Sequence, residues 1–124
     1  MTKSYRDLLV WQQGIVLVKE VYTLTKQFPK DEIYGLMSQI RRSAVSVPSN
    51  IAEGQARNSD NEFRRFLLIA LGSLAELDTQ IEISSLLGYL EESDTTQVQE
   101  KVIELRRMLF GLINSLSQKD QPTI

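Results

Sequence analysis

The stretch Ser38–Gly54, SQIRRSAVSVPSNIAEG, constrains the fold more than any other part of the chain. Ile33, Leu36, Met37, Ile40, Ala44, Val47 and Ile51 fall within about 50° of one direction when the chain is wound at about 100° per residue. The phase survives Pro48. A proline in a helix interior costs about 3 kcal/mol, through a lost hydrogen bond and a ring clash with the carbonyl four residues back. An unbroken apolar phase across that cost predicts one long helix kinked at Pro48, not two helices separated by it.

The remaining chain has the same periodicity. Helix 1 is expected over about 5–27, with two apolar stripes. One is Leu8, Trp11, Ile15, Val18 and Tyr22; the other is Val10, Leu17, Val21, Leu24 and Phe28. Together they span an arc of about 180°, wider than the edge helix of a lone bundle needs. Val10, Leu17, Val21 and Leu24 are therefore expected to meet a second copy. Burial under loop residues is the alternative.

Helix 2 is expected over 31–56, and its small residues Ser43, Ala44, Ser46, Ser49, Ala52 and Gly54 suit close helix packing. Ser59 and Glu62 have the spacing of a capping box that opens helix 3, over 60–87. Its core stripe is Phe63, Phe66, Leu67, Ala70, Leu74, Leu77 and Ile81, with Gly88 as C-cap. Leu71 lies outside that stripe and joins the expected interface.

A second capping box, Asp94 with Gln97, opens helix 4 over 95–117, whose seam is Val98, Val102, Leu105, Leu109, Leu112 and Leu116. No stretch reads as strand. Four helices with short links in 124 residues predict a single all-α domain, an antiparallel up-down-up-down four-helix bundle.

Composition narrows the chemistry. There is no Cys, which excludes disulfides and thiol nucleophiles. There is no His either, so the Glu and Glu-x-x-His di-iron site of many bundles cannot form. No phosphate-binding loop and no nucleophile–base pair occurs. The expectation is a non-enzymatic protein with no metal and no cofactor. No apolar run reaches the roughly 20 residues that span a bilayer, and the first residues lack a signal-peptide pattern. A cytoplasmic location is expected.

The charged residues carry the functional reading. In an up-down-up-down bundle, Lys3, Arg6, Arg57, Arg64, Arg65 and Lys119 gather at one end. Asp31, Glu32, Glu91, Glu92 and Asp94 gather at the other, where they outnumber Lys26 and Lys30. Arg57, Arg64 and Arg65 are the leading candidates for phosphate contact in RNA or DNA, with Arg41 and Arg42 next. A solvated surface with local salt bridges, such as Glu62 with Arg65, is the other reading. The net charge of −2 and pI near 5.2 count against wholesale coating of nucleic acid. Arg41 and Arg42 lie mid-helix, suited to anchoring carboxylates across a subunit interface or to facing a central channel.

Several motifs match a known bacterial family. They are Tyr5-x-Asp7-Leu8-x-Val10-Trp11, Tyr22, Phe28-Pro29, and the run from Glu32-x-Tyr34-Gly35-Leu36 through Ser38-Gln39-Ile40-Arg41-Arg42-Ser43-Ala44 to Asn50-Ile51-Ala52-Glu53-Gly54. Phe63, Phe66, Ala70, Gly72-Ser73, Glu76-Leu77 and Leu87-Gly88-Tyr89 continue the match. The chain resembles the four-helix-bundle family found as open reading frames in intervening sequences of 23S rRNA genes. The accessory variability protein of diversity-generating retroelements is similar to that family. The resemblance implies a ring, with a pentamer favoured. In the retroelement relatives it implies a basic surface that binds nucleic acid and a reverse transcriptase. The expected function is an oligomeric binding module associated with RNA or nucleoprotein. The alternative is an adaptor ring that docks a protein without nucleic acid.

Overall fold

The computed structural model describes residues 4–120, apart from the side chains of 117–120. Lys3, the Lys119 side chain and most of the expected loose tail lie outside that set. The described chain is an all-α bundle of four helices, α1 (Leu9–Thr25), α2 (Leu36–Ala56), α3 (Asp60–Leu86) and α4 (Glu92–Asp120). Each helix packs on the two next to it in the cycle α1–α2–α3–α4, and the diagonal pairs make no close backbone approach among the described residues. The α2–α3 pair is the most extensive.

Helix α2 runs through Pro48 without a break. The surroundings of the ring are closely fitted. The ring is buried, with Gly14 of α1 beside it, where an added Cβ would stand 3.2 Å from the proline Cβ. Two residues on, the Asn50 side-chain amide donates to the Ser46 carbonyl at 2.8 Å and to its hydroxyl at 2.9 Å, which ties down the turn around the proline without replacing the bond lost at Ala44. That hydroxyl in turn lies 2.8 Å from the Ser73 hydroxyl of α3. Further along, a Cβ on Gly54 would come within 2.5 Å of the Phe66 Cβ, so α2 and α3 meet there at glycine distance.

The core is a single cluster. It takes the inner faces of α2 (Ile40, Ala44, Val47, Ile51) and α3 (Leu67, Ala70, Leu74, Leu77, Ile81). From α4 it takes Val98, Val102, Leu105 and Leu109, then Ile113 and Leu116. Leu112, expected on that seam, is only partly buried. A straight helix turns 3.6 residues, so a 3.5-residue seam drifts by one position near its end.

On α1 the inward stripe is Val10, Gly14, Leu17, Val21 and Thr25. This corrects the expected interface. Val10, Leu17 and Val21 are buried in the chain's own core, and Leu24 and Leu71 pack against it. Of the other α1 stripe, Leu8, Trp11 and Val18 pack against the core while Ile15 and Tyr22 are exposed.

The helix starts also differ from expectation. Residues Tyr5–Asp7 form a separate 3-10 turn capped by the Ser4 hydroxyl, and Leu8 is extended before α1 begins. Arg6 lies 5.4 Å from the Trp11 ring, and Gln12 donates to the Arg6 carbonyl at 2.8 Å. A second 3-10 turn, Lys30–Glu32, precedes α2, which starts at Leu36 and not at Asp31. Ile33 falls between them and is exposed.

The Glu32 carboxylate accepts the Leu36 amide at 3.0 Å and the Tyr89 hydroxyl at 2.9 Å. It thereby caps α2 and ties it to the turn after α3. That turn is a Schellman motif: Gly88 has φ 81°, its amide meets the Ser85 carbonyl at 3.0 Å, and the Tyr89 amide meets that of Ser84 at 2.9 Å. Helix α4 starts three residues earlier than expected, so Asp94 sits inside its first turn and does not cap it.

Candidate interaction surfaces

The turn between α2 and α3 brings the leading arginines together. Arg57 closes α2, Asn58 follows with φ 57°, and the Ser59 hydroxyl accepts the Glu62 amide at 3.3 Å to open α3. The reciprocal half of the capping box is replaced, because the Glu62 carboxylate goes to Arg65 at 2.9 Å and to Arg57 at 3.8 Å. Arg57 also pairs with Glu53 at 3.5 Å. The Arg57 and Arg65 guanidiniums lie 5.0 and 4.6 Å from the Phe66 ring centre. Arg64 is half-buried beside them.

Arg65 holds the Glu62 carboxyl below the ordinary carboxylate range, and Glu62 raises Arg65 in return. The arginines are therefore gathered but compensated. Among the described side chains, Arg6, Arg57, Arg64 and Arg65 share this end with Asp7, Glu53, Asp60 and Glu62. Among the described side chains this end is balanced in charge, with Arg57 and Arg65 answered by carboxylates one turn away; Lys3 and the Lys119 side chain lie outside that set.

Arg41 and Arg42 separate sharply. Arg41 Nε donates to Thr25 Oγ1 at 2.8 Å, and its Nη2 donates to the Tyr22 carbonyl at 3.2 Å. Thr25 passes the chain on, donating to the Val21 carbonyl at 2.8 Å. The guanidinium also stacks 4.4 Å from the Tyr22 ring centre. A cation on the last carbonyls of α1 is where the helix dipole favours one. Arg42, one residue on, is exposed and has no ion-pair or hydrogen-bond partner among the described residues.

Two shallow grooves flank Arg42. One, of about 570 Å³, follows the outer face of α2 and is lined chiefly by apolar and aromatic side chains. The other, of about 370 Å³, lies between α2 and α3 over the buried Ser43–Gln80 hydrogen bond of 2.9 Å. Sequence reasoning missed the first groove, because it expected α2 to begin at Asp31 with Ile33 on its core stripe, whereas Ile33 and Tyr34 precede α2 and are exposed.

Exposed apolar side chains also occur on the other helices, Ile103 and Phe110 on α4 among them. Leu9 and Val16 stand out on α1, and Leu68, Ile69, Ile83 and Leu86 on α3. Among the described residues, no group of three or more carboxylates is placed to hold a metal ion. No helix there is long and apolar enough to cross a membrane.

These features define a class, an antiparallel all-α four-helix bundle with compensated arginines and unusually apolar flanks. The model of the family described as 23S rRNA-intervening sequence protein matches residues 6–111, and the chain belongs to that family. In structure it is similar to a crystal structure from Bacteroides thetaiotaomicron, described as a protein of unknown function from the S23 ribosomal protein family. The TM-score is 0.79 at 22% identity, covering 85% of this chain and 98% of that one. At that identity the likeness concerns the fold. No curated protein matches the sequence significantly.

Proposed function

We propose that this chain is a non-enzymatic binding module that works as a ring of identical copies. The observation that carries the reading is the pair of apolar patches on diagonal helices. Leu9 and Val16 lie on α1; Leu68, Ile69, Ile83 and Leu86 lie on α3, with Leu86 78% exposed. Helices α1 and α3 lie diagonally in the bundle, with no close backbone approach among the described residues, so one copy presents its two patches on separate sides. Unlike patches on separate sides favour head-to-tail contacts, which close into rings. About five copies is the size that the family resemblance implies.

Complementation between variants tests this. Val16→Glu and Ile83→Glu each place a charge in one patch and leave the other intact. Each variant alone is expected to run as a single chain. Mixed together, they are expected to pair through the one intact contact and stop at two chains. Full-sized assemblies from either variant alone would overturn the reading.

Association with RNA is a second reading, supported by the gathering of Arg57, Arg64 and Arg65 at one turn and by the family's description. The pairing of Arg57 and Arg65 with Glu53 and Glu62 predicts weak binding to phosphate. An Arg57, Arg64 and Arg65 to Ala variant is expected to lose what RNA affinity the chain has and to flatten its salt dependence. Unchanged binding would remove the assignment.

A further inference from the structure

The groove on the outer face of α2 has a chemistry of its own, separate from the α1 and α3 patches. Ile33, Met37 and Val45 give it an aliphatic floor, with Tyr22 and Tyr34 beside them. Tyr34 is 97% exposed, the extreme for a large apolar side chain here. Two guanidiniums, Arg41 and Arg42, line the same groove, and no carboxylate does. The adjoining groove, which shares Arg42, has the Glu76 carboxylate in its lining.

The two arginines play different parts. Arg41 is fixed by Thr25, by the Tyr22 carbonyl and by the Tyr22 ring, none of which cancels its charge. It is a preorganised cation. Arg42 is exposed and has no partner among the described residues, so it is free to close on an anion.

An occupant that covered this groove with apolar atoms alone would strip water from a guanidinium and leave it unpaired, which costs more than the apolar contact returns. The occupant must bring negative charge and apolar side chains together. We infer that the groove docks an acidic, apolar peptide segment of a partner protein. Its carboxylate bridges Arg41 and Arg42, and the apolar residues on either side of it rest on Ile33, Met37 and Val45. Tyr34 closes over the segment. Nucleic acid fits less well, because its affinity grows with the number of phosphates neutralised and this groove supplies two cations on an aliphatic floor.

Selection from a display library of random peptides about twelve residues long, on the assembled full-length chain, tests the inference. Enriched peptides are expected to carry Asp or Glu flanked by leucine, isoleucine or aromatic residues. Replacing their carboxylates with amides should abolish binding. Arg42→Glu should weaken binding about tenfold or more and Tyr34→Ala several-fold. Both residues are exposed and hold nothing in the bundle, so circular dichroism and assembled mass should stay unchanged, while Arg57→Ala should bind as the parent does.

Four results would each overturn the inference: no enriched peptide, enriched peptides without carboxylates, enriched peptides indifferent to Arg42→Glu, or displacement of the enriched peptides by a short oligouridylate. If Arg42→Glu instead broke the assembly, the groove's occupant would be a second copy. The peptide inference would then fail while the ring reading stood.

Discussion

Gly14 of α1 and Pro48 of α2 face each other so closely that a Cβ on the glycine would lie 3.2 Å from the proline Cβ and 3.5 Å from its Cδ. The proline ring is buried and rigid, and it cannot move aside as a flexible side chain would. Gly14→Ala should therefore forgo the gain of about 1 kcal/mol that alanine brings to a helix interior. It should destabilise the chain by about 1 kcal/mol, and Gly14→Val by about 2 to 3 kcal/mol, through overpacking. Urea midpoints measure both. A stabilised Gly14→Ala would mean that the two helices separate freely at this point.

Gly54 and Gly111 make a matched pair for the same physics. A Cβ on Gly54 meets the Phe66 Cβ at 2.5 Å, whereas a Cβ on Gly111 meets nothing within 4 Å. Gly54→Ala should cost about 1 to 3 kcal/mol. Gly111→Ala, exposed on α4, should gain up to about 1 kcal/mol. Thermal melts of the two variants should move in opposite directions.

Arg41 and Arg42 should part company in stability as they do in geometry. Arg41→Ala removes a hydrogen bond to Thr25, another to the Tyr22 carbonyl and the stacking on Tyr22, and should cost about 1 to 2 kcal/mol. Lysine should not restore it, because one ammonium cannot reproduce two guanidinium bonds and a planar stack. Arg42→Ala should leave the melting temperature within a degree or so of the parent. Equal losses at both positions would contradict the structural role given to Arg41.

The bond between Glu32 and Tyr89 sets both limbs of a pH dependence. The Leu36 amide first, and then the Tyr89 hydroxyl, hold the Glu32 carboxyl below its usual range. A depressed carboxyl stabilises the fold above its unfolded value and loses that contribution as pH falls through the folded one. The Tyr89 hydroxyl is raised, first by its bond to Glu32, so its contribution is complete below the usual tyrosine range and fades as pH rises beyond it. The melting temperature of Glu32→Gln should lie below the parent's at neutral pH. The gap should close as the solution becomes acid enough to protonate Glu32. A gap that stays constant with pH would mean that the carboxylate's charge contributes nothing to the cap.

Much of the bundle was legible in the sequence. Ile40 through Ile51 and Leu67 through Ile81 carry one apolar stripe each, and periodicity finds a single stripe well. Helix α1 carries two, and periodicity alone cannot say which one turns inward. The residue that could have decided it was Gly14. A glycine in mid-helix on the Val10–Leu17–Val21 stripe marks a close approach, and the buried Pro48 is what approaches.

The site was less legible than the core. The link from Glu53 to Arg57 and from Glu62 to Arg65 follows from spacings of four and three residues. Among the described side chains, the pairing of Glu62 with Arg65 is the local salt bridge that the spacing allows, and it offsets charge at the arginine end. Arg41 with Thr25, and Glu32 with Tyr89, join residues from different elements. Such pairs are set by packing, which single-sequence periodicity does not carry. The α2 groove was hidden for the same reason, since Tyr22 from α1 and Ile33 and Tyr34 from the turn before α2 join the α2 face to form it.

Light scattering coupled to size-exclusion chromatography, with absorbance read at 260 and 280 nm, decides whether the chain is an assembling module. A single species of on the order of five 14.2 kDa chains is predicted. Ile83→Glu should reduce it to one chain, and an absorbance ratio of protein alone is expected with the arginine end compensated. A parent protein that runs as one 14.2 kDa chain at all concentrations would contradict the ring and the role given to the α1 and α3 patches.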